Sequence, residues 1–209
     1  MIGKILFPEG AVCLCCGKIS DGHPLCPVCR LLLEEEAFEP DMCRMDRYEG
    51  PSWSVWPHRG RARRLVHLLK YDAVRCCAEL LGTPMARLAR KAELPADTTV
   101  TWVTMPKRRL RERGIDHGRL LAETVGRMNG WKTEPLLLRG DRNLVTQQGL
   151  DYAGRMKNLT DCFQSAGPVT GSILLVDDVL TTGATSELCR KLLKESGADH
   201  VTVLTATRA

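Results

Sequence analysis

Near its carboxyl end the chain carries two adjacent acids followed by hydroxyls and a glycine: Asp177-Asp178-Val179-Leu180-Thr181-Thr182-Gly183-Ala184-Thr185. An apolar run, Ser172-Ile173-Leu174-Leu175-Val176, leads into it, and a helical pattern follows. These residue types suit a phosphate joined to a sugar. Carboxylates accept hydrogen bonds from sugar hydroxyls. Amides at the start of a helix favour a phosphate through hydrogen bonds and the helix dipole. Gly183 lets the backbone approach closely, and Thr181, Thr182 and Thr185 offer hydroxyls without charge. An acid pair at a strand end can also cap a helix or hold a structural cation, and Thr-Thr-Gly alone can be a plain turn. The whole string between a strand and a helix is more specific than either part. No Gly-x4-Gly-Lys-Ser/Thr occurs, which disfavours ATP hydrolysis.

A second constellation lies at the other end. Cys13-x2-Cys16 and Cys26-x2-Cys29 are nine residues apart. Two such knuckles supply four sulfurs for a tetrahedral zinc, and four thiolates close the sphere, so the expected role is structural. Cys15 makes a Cys13-x-Cys15 register conceivable and His23 is a competing donor, but the x2 register matches the second pair. The remaining cysteines are scattered and suit core packing.

These residues need elements to position them. The spacing predicts a strand over 52–56 and a helix over 61–71 bearing Leu65, Leu68 and Leu69. It predicts a helix opening at Thr83-Pro84, a β-branched strand over 99–105, and a helix over 117–128 capped by Gly130. A buried strand over 172–177, a helix over 183–195 and a strand over 200–207 complete the alternation, the pattern of a parallel α/β sheet. Lys107, Arg108, Arg109, Arg111 and Arg113 are read mostly as a solvated surface.

The chain has 209 residues, 44% apolar and 26% charged, with a net charge of +5. That composition suits one medium domain plus a small module. The charge permits an anionic ligand without requiring one. No apolar run can span a bilayer, and Met1 to Pro8 does not read as a signal peptide, so a cytoplasmic protein is expected. A change of composition near residue 45 divides a Cys-rich module, 1–45, from an α/β domain, 46–209.

The acidic string closely resembles the phosphoribosyl pyrophosphate loop of type I phosphoribosyltransferases. The chain as a whole resembles the competence protein F (ComF) family. The elements that carry this resemblance run in order. They are the Cys pairs, Leu69-Lys70-Tyr71, Met105-Pro106, Arg113-Gly114, Arg142-x4-Gln147-x2-Leu150-x4-Arg155-x2-Asn158-Leu159-x3-Phe163, and the acidic loop. The resemblance implies a parallel-sheet phosphoribosyltransferase-like domain behind a zinc-knuckle module. It implies that Asp177 and Asp178 hold the ribose hydroxyls with magnesium nearby, and that residues 181 to 185 cradle the 5′-phosphate. Pro106 and Lys107 would approach the pyrophosphate, and Arg142, Gln147 and Arg155 would belong to a lid. Lys70 would reach the same pocket.

Two departures stand out. Many relatives have Phe-Asn-Gln where this chain has Ile115-Asp116-His117, and only Cys43 remains where relatives often carry another Cys pair, so one zinc is expected. Two functions compete. One is a transferase using phosphoribosyl pyrophosphate and an unidentified acceptor. The other is a non-catalytic factor in DNA uptake or recombination that binds single-stranded DNA or proteins. For DNA, the basic residues Arg59, Arg61, Arg63 and Arg64 beside Trp53 and Trp56 are the candidate surface, although a solvated helix face over core tryptophans is the stronger reading of the patch.

Overall fold

A computed structural model describes residues 12–48, 50–140 and 162–209. Its centre is a six-stranded sheet in the order β1-β2-β8-β7-β3-β4, built from β1 (Arg44–Tyr48), β2 (Gly50–Pro57), β3 (Thr99–Trp102), β4 (Lys132–Thr133), β7 (Ser172–Leu180) and β8 (His200–Arg208). All neighbours pair parallel except β1 and β2, which form an antiparallel edge. The expected mostly parallel α/β architecture is therefore present. A separate antiparallel pair joins β5 (Leu137–Arg139) and β6 (Phe163–Ser165).

Side chains alternate between the two faces of a strand, and β7 uses this to build two cores. Its even residues Leu174 and Val176 join Leu204 and Ala206 of β8 on one face. There they meet α2 (Gly60–Tyr71), α3 (Cys76–Lys91) and α5 (His117–Asn129). Its odd residues Ile173 and Leu175 join Val201 and Val203 on the other. That face is covered by Leu188, Cys189 and Leu193 of α6 (Ala184–Glu195) and by Leu137 and Phe163 of the small pair.

The helices follow their apolar spacing. α2 buries Ala62, Leu65, Val66 and Leu69, each leucine contributing roughly 1.5–3 kcal/mol. α5 is capped by Asp116, whose Oδ1 accepts from the Arg119 N–H at 3.1 Å, and ends at Gly130 in the left-handed region. Asp116 Oδ2 also accepts from Trp102 Nε1 at 3.1 Å, so the charge replacing a neutral amide in this turn is used locally.

The start expected at Thr83-Pro84 is displaced. α3 begins at Cys76 and carries Pro84 inside it. The proline forgoes one helical hydrogen bond, to Leu80, but buried Leu81, Met85 and Ala86 around it hold the helix against the core. Lys107–Arg113, read as a solvated run, is helix α4, exposed as expected but ordered.

The cysteine-bearing segment leads through α1 (Pro27–Glu35), and Cys13, Leu25, Cys26, Cys29 and Leu33 pack into the same core as α2. Trp56 is buried there and donates its indole N–H to Leu33 O at 2.8 Å. Among the described residues no helix is long and apolar enough to cross a membrane.

Candidate ligand crevice and metal centre

The chain leaves β3 toward β4 on one side and β7 toward β8 on the other. The crevice between the carboxyl ends of β3 and β7 is thus a topological switch point, where open α/β sheets bind ligands. β7 runs on to Leu180, three residues past the expected end, and carries both acids to this edge while still in strand conformation. Strand alternation therefore sends Asp177 and Asp178 to opposite faces.

Asp178 faces the core of α2 and α5, and its side chain is 5% exposed. Lys70 Nζ lies 2.8 Å from Oδ1 and His117 Nε2 lies 2.9 Å from Oδ2. The His117 approach is not a well-aligned hydrogen bond, because Oδ2 lacks a donor of good angle. His117 Nδ1 faces Arg113 Nη1 at 3.5 Å. A guanidinium only donates, so the chemistry of the partners assigns the ring proton to Nε2. Arg113 in turn sits over the Tyr71 ring at 5.0 Å. Burial alone pushes the Asp178 carboxyl up, but the His117 and Lys70 contacts together outweigh it and hold the group at about 2. The backbone is tied in as well: Thr207 Oγ1 donates to Asp178 O at 3.3 Å and pairs with His58 Nδ1 at 2.8 Å.

Asp177 differs in every respect. Its side chain is half-buried, its Oδ1 accepts the Asp178 N–H at 2.8 Å, and no described cation pairs with it at ion-pair distance. Burial, and then the neighbouring Asp178 charge, raise its pKa well above the usual carboxylate range. A half-buried acid that pairs with no described cation is a candidate for ligand binding. Among the described residues, Arg139 is a cation near Asp177; it lies 4.6 Å from the Phe163 ring, and burial, and then Arg109, lower its pKa. Sequence reasoning passed over Arg139; the signal was a lone Arg ending the apolar stretch Leu136-Leu137-Leu138.

Beyond β7 the chain turns into α6. Gly183 is its N-cap at φ 77°, in the left-handed region that a side chain resists. It gives no side-chain cap. Thr182 Oγ1 accepts from the Ala184 N–H at 3.5 Å, at a helix start of the kind that favours an anion. Thr181 and Thr182 are exposed, and Ala184 and Thr185 half-buried. Lys107 opens α4 after an extended turn at 103–106 and is exposed. Arg142, Gln147 and Arg155 lie outside the described residues.

At the amino end the sulfurs of Cys13, Cys16, Cys26 and Cys29 lie within 4.8 Å of one another and could hold a metal ion. Cys16, not Cys15, completes the set, and exposed His23 is not part of it. The first knuckle closes through Gly17 N–H to Cys13 O at 2.8 Å, with Gly17 at φ 74°. In the second, Cys26 caps α1 and its sulfur accepts from the Cys29 N–H at 3.5 Å. Burial raises the Cys13 thiol, but the amides of Cys16, Cys26 and Cys15 outweigh it and bring it to about 6. Burial, and then crowding by the other sulfurs, push Cys29 up to about 12. Four closely packed thiols of this kind ionise together only with a cation between them, and the donor set suits zinc. Cys43 instead donates to Glu39 O at 3.5 Å and Phe38 O at 3.7 Å.

The basic surface beside the knuckles is partly spent. Arg61 pairs with Glu36 at 2.5 Å and Arg64 Nε donates to Leu14 O at 2.5 Å. Trp56 is buried, so its ring is closed to a nucleobase. Arg63 and His67 line an open groove of about 610 Å³.

No family model matches the sequence. The chain is 28% identical over 204 residues to DNA utilization protein YhgH of Salmonella typhi, covering 93% of this chain and 88% of that protein. It is 26% identical to YhgH of Escherichia coli (strain K12), covering 92% and 88%. It is 25% identical over 222 residues to competence protein F of Haemophilus influenzae, covering 99% and 94%. The chain resembles competence protein F along nearly its full length. Among solved structures, it is similar to the allosteric regulatory enzyme of purine biosynthesis at 23% identity and a TM-score of 0.44, over 61% of this chain. It is similar to glutamine phosphoribosylpyrophosphate amidotransferase from B. subtilis at 22% and 0.41, over 60%. The matched region spans about a quarter of those two chains.

Proposed function

We propose that the crevice at the ends of β3 and β7 binds phosphoribosyl pyrophosphate with magnesium, in a protein that serves DNA uptake or use. The observation that carries this reading is the uncompensated acid Asp177 beside the open N-terminus of α6 at the switch point. One end of that pair suits a polyhydroxyl group and its cation, the other a phosphate. The names of the relatives supply the second half of the proposal.

In this reading Asp177 takes the ribose hydroxyls, and the amides and hydroxyls of residues 181–185 take the 5′-phosphate. Asp178 already holds Lys70 and His117, so it reaches the ligand only by giving one of them up. Its chief role is to hold Lys70, whose side chain is 20% exposed, at the crevice where negative charge would enter. Lys107 and Arg139 border the crevice from α4 and β5 and favour a pyrophosphate electrostatically. Arg142 and Gln147 keep their proposed place in a covering segment. Magnesium, held by Asp177 and the ligand's own oxygens, would neutralise the pyrophosphate as the ribose C1–O bond weakens. The four cysteines hold a structural zinc, and residues 1–45 form the zinc-bearing module in front of the ligand-binding domain, 46–209.

Thermal unfolding tests the ligand. Phosphoribosyl pyrophosphate with magnesium at about 100 times its Kd adds about 2.7 kcal/mol, a rise of roughly 5–10 °C for a chain of this size. Ribose 5-phosphate alone should give less. No shift with either refutes the reading. Direct single-stranded DNA binding through Arg59 and Arg63 is the second reading, favoured by the exposed groove beside Arg63 and His67. It requires affinity that falls steeply with salt.

A further inference from the structure

Two groups that each suit one part of a ligand are bound to one another at the crevice. The Asp178 carboxylate could accept from a sugar hydroxyl or hold a cation. The Lys70 ammonium could hold a phosphate. Instead, Lys70 Nζ lies 2.8 Å from Asp178 Oδ1. The fold fixes both ends of this pair. Lys70 stands in the last turn of α2, between buried Leu69 and exposed Tyr71. Thr207 Oγ1 donates to the Asp178 carbonyl at 3.3 Å and anchors its backbone. The two side chains are 20% and 5% exposed, so salt screens the pair weakly.

The two partners of Asp178 are not equally free to leave it. His117 opens α5 and is buried there with Gly118. Its Nε2 lies 2.9 Å from Oδ2, and its Nδ1 faces Arg113 at 3.5 Å. A short ring held at a buried helix start has little room to swing. Lys70 carries its charge on a flexible four-carbon stem, and its side chain is the more exposed of the two. Lys70 is therefore the partner that can move. Its departure alone would strip Oδ1, while Oδ2 has no well-aligned donor to compensate. An unpaired buried charge is strongly disfavoured. So Lys70 leaves Asp178 only where an anion receives it and a hydroxyl or a cation replaces it on Oδ1.

We propose that the Lys70–Asp178 pair is a specificity lock on the crevice, opened by ligands that bring an anion together with a hydroxyl or a divalent cation. An anion alone meets a lysine already neutralised. A sugar or a cation alone meets an acid already paired. A sugar phosphate with magnesium satisfies both halves in one exchange, while His117 stays on Asp178. The ligand class rests on the reading of the crevice proposed above; the lock rests on the pair itself. The competing account is that the pair only ties α2 to β7.

Each half of the lock hides a site that loss of the other half should uncover. Calorimetric titration of the zinc-loaded full chain reads both, with circular dichroism confirming the fold. Asp178→Asn should bind inorganic pyrophosphate without magnesium at least about tenfold more tightly than the wild type, within the roughly 5–150-fold range of such couplings. Asp177→Asn removes the same charge from the opposite face and should gain much less. Lys70→Met should bind magnesium without an anion at least about tenfold more tightly than the wild type. Lys107→Met, which removes an exposed cation from α4, should not. The double variant Lys70→Met/Asp178→Asn should show neither gain. The two arms are independent, so a poorly folded variant in one leaves the other decisive. A structural tie gives no gain in either arm, and that result overturns the lock. Equal pyrophosphate gains in Asp177→Asn and Asp178→Asn, or a gain that survives Lys70→Met, overturn it too. A wild type that takes up no phosphoribosyl pyrophosphate, while both gains appear, overturns the ligand reading and upholds the lock.

Discussion

Two neighbouring isosteric substitutions should move stability in opposite directions. In Asp178→Asn the lost carboxylate is the one held at about 2, against about 3.9 for a free Asp. That difference corresponds to roughly 2–3 kcal/mol of native-state stabilisation at neutral pH. The folded pKa is depressed, so this contribution is complete above about pH 4 and fades as pH falls toward 2. Asparagine also leaves Lys70 without its counter-charge, and breaking a buried pair costs about 3–5 kcal/mol. The two figures describe overlapping effects, so about 3 kcal/mol is expected, a fall in Tm of roughly 6–12 °C. In Asp177→Asn the sign reverses. The folded pKa of Asp177 is raised, so its charge is a cost at neutral pH that protonation relieves as pH falls. The variant keeps an acceptor for the Asp178 N–H and should unfold at a higher temperature than the wild type at pH 7, with the gap closing in acid. Thermal unfolding of zinc-loaded proteins at pH 7 and pH 5 reads both. Equal losses in the two variants, or a neutral Asp178→Asn, would refute the assignment of opposite faces and opposite environments.

Other outcomes follow from the same geometry. Metal analysis of purified protein should find about one zinc per chain; Cys16→Ser should abolish it and Cys15→Ser should not. Arg190, 2% exposed, donates to Val201 O at 2.8 Å and Ser52 Oγ at 3.0 Å and pairs with Glu187 at 3.1 Å. Arg190→Met should therefore cost several kcal/mol in chemical denaturation by leaving those partners unmet. Gly183→Ala places a side chain at φ 77°, which should cost about 1–2 kcal/mol in stability and weaken phosphate binding at α6 in a binding titration.

The legible parts of this fold were those written in local periodicity. The apolar run before Asp177, the spacing of α5 and the paired cysteines each state their structure within a few residues. β1 was silent because Arg44-Met45-Asp46-Arg47-Tyr48 alternates too briefly to mark a strand and gains its place only by pairing with β2. The start of α3 was misplaced because Thr83-Pro84 reads as a helix start, while tertiary burial of Leu81 and Met85 overrides that signal. At the site, the string of residue types was visible but its division of labour was not. That Asp177 and Asp178 face different ways depends on β7 remaining a strand through both. That Asp178 meets His117 depends on α5, some sixty residues earlier in the chain. Long-range pairs such as these leave no trace in spacing.

The proposed phosphoribosyl pyrophosphate site is organised by Asp177. Calorimetric titration of that ligand with magnesium into zinc-loaded wild type and Asp177→Asn tests it most directly. The wild type should bind saturably and only with magnesium, and the variant should lose at least about tenfold, worth 1.4 kcal/mol. A folded, zinc-loaded wild type that takes up no ligand, or a variant that binds as the wild type does, would contradict it.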